Sequence, residues 1–218
     1  MALAIFDLDN TLLGGDSDYL WGQYLAETGV VDGAHYAREN QRYYDAYHAG
    51  TLDIMQFLEF ALRPLAGVPV AQLHAWRKRY LELKIQPILL PKALALIERH
   101  KRAGDTLLII TATNRFVTEP IAELFGIAHL IATEPEMRDG VYTGRVDGIP
   151  SFREGKVQRL NAWLESRDES LDNSWFYSDS HNDLPLLQKV THPIAVDPDE
   201  ELRRIAVLHA WPVISLRD

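Results

Sequence analysis

The 218-residue chain has no cysteine, which removes disulfides, thiolate metal sites and cysteine nucleophiles together. No apolar run approaches the roughly 18 residues of a membrane span. Basic residues are few: 22 Lys and Arg stand against 31 Asp and Glu, a formal charge of −9. Affinity for nucleic acid rests on clustered Lys and Arg, so no nucleic-acid partner is expected. A small anionic substrate stays open, because it answers to the local field of a cleft. Low-complexity tracts and internal repeats are absent as well. Hydrophobic residues at 47% and charged ones at 24% are ordinary for a globular chain with a sizeable core. The opening residues 1–9 carry no basic segment and two acids, which does not read as a signal peptide. A soluble, cytoplasmic protein is the expectation.

Three short apolar runs, residues 2–6, 106–110 and 175–177, have the look of buried strands, and each gives way at once to polar residues. Ligands gather at the carboxyl ends of parallel strands, so three such units point to one shared site. Helical periodicity fills the gaps over residues 91–103, 154–165, 182–189 and 200–208, with a further strand at 193–196. The alternation predicts an α/β fold with a Rossmann-like parallel sheet. Asp139-Gly140 between apolar flanks predicts a β-hairpin with a primed turn. From Gly14 to Gln86 no strand is expected; four amphipathic segments there hold eleven of the chain's 21 aromatic side chains. The expected organisation is a core of residues 1–13 and 87–218 with a helical insertion at 14–86 that has its own small core.

Asp7 and Asp9 alternate by two at the end of the first strand, so both side chains point one way. Carboxylates that close repel each other and call for a shared proton or a divalent cation; the plain alternative is a solvated strand end. Asp179 and Asp183 follow the 175–177 run, with Asn182 between, an oxygen-rich pattern that suits magnesium but also suits helix capping. Lys156 opens a helix, where a cation opposes the dipole. A nearby anion would explain it, as would a place on the surface. Thr111 and Ala112 stand at a strand-to-helix junction fit for phosphate.

Taken in order, Asp7-x-Asp9-x-Thr11, Thr111 after an apolar strand, Lys156 and Asp179-x-x-x-Asp183 resemble the haloacid dehalogenase superfamily of phosphohydrolases over the whole chain. Residues 178–187 and the 139–144 hairpin are similar to its phosphoserine phosphatase branch. The resemblance implies that residues 14–86 form a helical cap of the family's first type. It implies that Asp7 is the nucleophile, forming an aspartyl-phosphate, and Asp9 the general acid and then base. Thr111, Ala112, Lys156 and Asn182 would hold the phosphoryl group. Mg2+ would sit on Asp7, Asp9 (through its carbonyl), Asp179 and, in support, Asp183. The branch's substrate-binding cap glutamate is matched by Asp16, with Asp18 as competitor, and Arg63 is the one candidate for its carboxylate grip. The implied activity is hydrolysis of a small-metabolite phosphomonoester, an amino-alcohol phosphate such as phosphoserine or histidinol phosphate. Phosphoryl transfer to another acceptor and a non-catalytic regulatory role are the alternatives, and no membrane partner is expected.

Overall fold

Four buried residues, Leu3–Phe6, form β1, and their alternation decides the architecture. Leu3 and Ile5 face one hydrophobic cluster and Ala4 and Phe6 another, so the strand is covered on both faces. The computed structural model describes residues 2–167 and 169–217. Around β1 stand β2 (Thr106–Asn114), β3 (His129–Arg138), β4 (Val141–Asp147), β5 (Trp175–Ser178), β6 (His192–Val196) and β7 (Val213–Ile214). The seven-stranded sheet has the order β4-β3-β2-β1-β5-β6-β7, parallel except for the β3–β4 hairpin. Asp139 and Gly140, with φ of 50° and 77°, make the primed hairpin turn. Because β1 pairs with β2 on one side and β5 on the other, a crevice opens at its carboxyl end.

The insertion after β1 carries α1 (Ser17–Glu27), α2 (Gly33–His48), α3 (Ile54–Leu62) and α4 (Val70–Tyr80). Helices α5 (Pro91–Ala103), α6 (Arg115–Leu124), α7 (Glu154–Glu165), α8 (Leu184–Leu187) and α9 (Glu200–Leu208) complete the chain. The helix expected at 182–189 is split into a 3-10 turn, His181–Asp183, and the short α8. Helices α7, α8 and α9 cover the Leu3 face of the sheet; α5, α6 and most of the insertion cover the Phe6 face.

The insertion does not keep a core to itself. Trp21, Tyr24 and Tyr80 belong to the same cluster as Phe6 and Ile109, and the Trp21 ring meets Phe116 of α6 at 5.9 Å. A small separate cluster of Tyr43, Leu52 and Phe152 also includes a residue of the chain beyond the insertion. Pro120 within α6 adds a polar tie. It has no N–H for the Phe116 carbonyl one turn back, and Arg77 of α4 donates to that oxygen instead, at 2.6 Å. The entry and exit of the insertion pair with each other through a Leu13–Leu89 bridge and a Gly14 N–H bond to Ile88 at 2.8 Å. Among the described residues no single helix is long and apolar enough to cross a membrane.

Candidate active site

Asp7 follows β1 directly, and its N–H stays in the sheet by donating to the Tyr177 carbonyl at 2.9 Å. Its carboxylate is 5% exposed. Lys156 donates to it at 2.7 Å and to Asp183 at 2.7 Å, and is itself buried. The lysine is brought there by α7, whose start is too tight for any side chain at Gly155, where a Cβ would collide with the Pro150 carbonyl. Burial works against the Lys156 charge, but Asp183 and Asp7 override it and raise its pKa. Burial pushes the Asp7 carboxyl up to about 7; Lys156 pulls against this while Asp183 and Asp9 add to it. A surface lysine and a solvated strand end are thus both excluded.

Asp9 is turned by hydrogen-bond donors on both of its oxygens. Ser17 N–H binds one oxygen at 2.6 Å and the Thr113 hydroxyl the other at 2.8 Å. Burial nevertheless raises its pKa, against those bonds, which favours the protonated form a general acid needs. Thr113 reaches it because β2 runs on to Asn114 through an irregular register after Ile110, beyond the end of the apolar run. The sequence does not point to the Thr113 hydroxyl or the Ser17 N–H as donors to Asp9; a threonine two positions after Thr111, on the same side of a strand, is the available signal for the first. Thr111 lies beside them, 3.4 Å from Asp9, and Thr111, Ala112 and Thr113 all line the cleft. The helix after them starts at Arg115, three residues later than a junction at Thr111 implies.

Asp179, at the end of β5, accepts from the Thr11 hydroxyl at 3.1 Å, and burial with the charges of Asp7 and Asp183 raises its pKa well above the carboxylate range. Asp183 does not cap α8. One of its oxygens lies 2.7 Å from Lys156, the other 2.8 Å from it and 2.7 Å from the Ser178 hydroxyl. The Asp9 carboxylate is taken by hydrogen bonds, which leaves its carbonyl for the metal as expected, and Asp183 is held by Lys156 and Ser178; among the described residues no group of three or more Asp, Glu or His side chains converges as a ligand set. Asp7, Asp179 and the Asp9 carbonyl remain. They are hard oxygen donors, and Lys156 is the one cation bonded to Asp7 and Asp183, so this part of the site fits Mg2+.

Asn182 does not turn to the cleft. It accepts from Arg153 at 2.9 Å and donates to the Tyr47 carbonyl at 3.2 Å, while Arg153 also donates to the Gly50 carbonyl at 2.7 Å. The core is thereby fastened to the end of α2. Arg63, in the 3-10 turn after α3, is not among the residues lining the cleft; it stands in a different groove with Glu59, Thr143 and Arg145. Asp16 caps α1, accepting from Tyr19 N–H at 2.8 Å, while burial and Asp9 push its carboxyl up to about 7. Asp18 lines the cleft with Tyr19, Tyr43, Tyr44 and Tyr47.

A cleft thus opens at the carboxyl ends of β1, β2 and β5 of an α/β fold, with a lysine-paired aspartate at its base. The family model of the haloacid dehalogenase-like hydrolases matches residues 4–188, and the chain belongs to that family. A histidinol-phosphatase of Neisseria meningitidis serogroup C (strain 8013) is 45% identical, over 99% of this chain and 99% of that protein. A crystal structure of a protein of unknown function from Bordetella pertussis Tohama I is 49% identical with a TM-score of 0.93, covering 99% of this chain and 98% of the other. Substrate-bound phosphoserine phosphatase, at 18% identity and a TM-score of 0.73 over 99% and 93% of the two chains, shares the fold. The protein is an enzyme, a phosphatase of this hydrolase family.

Proposed function

We propose that the protein is a magnesium-dependent phosphatase that hydrolyses a small phosphomonoester through an aspartyl-phosphate on Asp7, with histidinol phosphate the first candidate substrate and phosphoserine the second. The observation that carries the reading is the buried Lys156–Asp7 pair at 2.7 Å at the base of the cleft. The lysine pulls Asp7 toward its ionised form against the effect of burial and puts positive charge near where phosphoryl oxygens would arrive. The name of the Neisseria relative supports the choice of substrate. Residues 14–86 act as a cap over residues 1–13 and 87–218.

In the first step an Asp7 oxygen attacks phosphorus while the bond to the substrate's alcohol oxygen breaks, and Asp9 gives that oxygen its proton. In the second, Asp9 takes a proton from water as the water oxygen attacks phosphorus and the bond to Asp7 breaks, releasing phosphate. Thr113 and Ser17 N–H hold Asp9 in position for both transfers. Mg2+ on Asp7, Asp179 and the Asp9 carbonyl would supply further positive charge to the phosphoryl oxygens. Phosphate release from a panel of phosphomonoesters, with Mg2+ and with EDTA, tests the reading. We expect turnover only with Mg2+, and a melting temperature that rises with Mg2+ by mass action. Equal turnover in EDTA would remove the metal from the account.

A further inference from the structure

Strand β2 does not run evenly into the cleft. Ile110 pairs with Ile131 of β3 and the next pair is Asn114 with Thr133, so Thr111, Ala112 and Thr113 stand opposite Ala132 alone. Extra residues of this kind leave the regular ladder and re-aim the groups they carry. All three line the cleft. A side chain holds them there: the hydroxyl of Thr133, a fully buried residue, donates to the Ala112 carbonyl at 2.7 Å.

That bond acts on the cleft side as well. In a trans peptide the N–H points away from the carbonyl, so the Thr113 N–H is turned from β3 and meets the Thr111 hydroxyl oxygen at 3.2 Å. An oxygen that accepts there keeps its own proton for the cleft, where the Thr111 hydroxyl faces Asp9 at 3.4 Å. The Thr133 oxygen in turn accepts from Ser151 N–H at 3.1 Å. Ser151 is fully buried in the segment that leads into α7, the helix that carries Lys156. One hydroxyl thus joins the irregular stretch of β2 to the approach of the lysine paired with Asp7.

We propose that Thr133 is a positioning residue: by holding the Ala112 carbonyl and the Ser151 N–H on one oxygen, it sets the Thr111 hydroxyl against Lys156 at the spacing a phosphoryl group needs. The inference rests on the phosphatase reading and adds to it a residue that acts only through others. Without the hydroxyl, a buried carbonyl and a buried N–H both lose their partner, and the stretch that carries Thr111 is free to shift.

The test compares wild type with Thr133→Val, Thr133→Ser and Ser174→Ala. Valine keeps the branched shape and strand preference of threonine, and serine keeps the hydroxyl. Ser174→Ala removes another fully buried hydroxyl, which donates to the Leu171 carbonyl at 2.6 Å just before β5, at the end of that strand away from the cleft. In Thr133→Val, kcat/KM on histidinol phosphate should fall about tenfold or more, and Thr133→Ser should return it to within about threefold of wild type. Affinity for inorganic phosphate, read by calorimetric titration with Mg2+ present, should also fall about tenfold in Thr133→Val and stay within about twofold of wild type in Ser174→Ala, although both variants lower the melting temperature. Should the valine variant not fold, Thr133→Ala takes its place with the same expectations. A loss that serine does not restore, or that Ser174→Ala shares, follows stability and overturns the proposal. Phosphate binding needs no turnover, which keeps the two readings apart. Binding weakened in Thr133→Val supports the positioning role even if no phosphate ester is cleaved, whereas turnover by wild type with equal phosphate affinity in both forms leaves the phosphatase standing and overturns the role of Thr133.

Discussion

At the scale of single residues, the site is a set of carboxylates each held for a different task. Lys156 ties Asp7 to Asp183 under the cleft, and both carboxylates are buried. Taking away the cation of a buried pair leaves uncompensated charge, so Lys156→Met should lose about 3–5 kcal/mol of stability in urea unfolding at neutral pH, in addition to its activity. A loss of activity at wild-type stability would mean the carboxylates find other partners. Thr113→Val removes the shorter of the two hydroxyl bonds to one Asp9 oxygen, the other coming from Thr111. Its kcat should fall by roughly tenfold or more, with KM little changed, since Asp9 acts on bonds that change in the reaction and not on the bound substrate. An unchanged kcat would leave Asp9 positioned by Ser17 N–H and the Thr111 hydroxyl.

At the scale of elements, what matters is how the insertion meets the core. Arg153 adopts φ 48° and ψ −122°, a conformation that costs a residue with a side chain on the order of 1–3 kcal/mol. From there it binds Asn182 and the Gly50 carbonyl, and so fixes the end of the helix that carries Tyr43, Tyr44 and Tyr47 into the cleft. Arg153→Ala should raise KM several-fold and change kcat less, because the wall loosens while Asp7 and Lys156 stay in place. A fall confined to kcat would contradict that role. Little of this contact was legible in the sequence. Strands β1, β2, β5 and β6 were, because runs such as residues 2–6 are buried on both faces, and so were the α5, α7 and α9 periodicities; the two-residue β7 was not. The carboxylates and Lys156 were legible from spacing and from the family resemblance. The Thr113 hydroxyl's place on Asp9 was not, because β2 outlasts its apolar run, nor was which of Asp16 and Asp18 caps α1, which depends on which carboxylate the Tyr19 N–H meets. The orientation of Asn182 depends on a partner, Tyr47, distant in sequence.

At the scale of the molecule, a buried histidine couples stability to pH. Arg99 donates to the Tyr177 hydroxyl oxygen at 3.2 Å, leaving the tyrosine proton for His100 Nε2 at 2.8 Å, while His100 Nδ1 donates to Asp105 at 2.8 Å. That network needs a neutral imidazole. Burial lowers the His100 pKa, only partly offset by the Asp105 bond, and Arg99 adds to the lowering. A group that is harder to protonate in the folded state lets the unfolded chain bind more protons. Stability is therefore fully present above the unfolded value near 6.5 and falls as pH drops through it. The raised carboxyls of Asp7 and Asp16 act in the opposite direction, so the effect is read as a difference: below about pH 6.5 the urea midpoint of the wild type should lose ground relative to His100→Gln, and an identical slope in the two would place the effect elsewhere. The central claim, that Asp7 is the group that receives the phosphoryl, is tested most directly by steady-state phosphate release from histidinol phosphate with Mg2+ by wild type and Asp7→Asn. An amide is a poor nucleophile, so the account predicts turnover by the wild type and none above background for a folded Asp7→Asn. Wild-type turnover by the variant would contradict it.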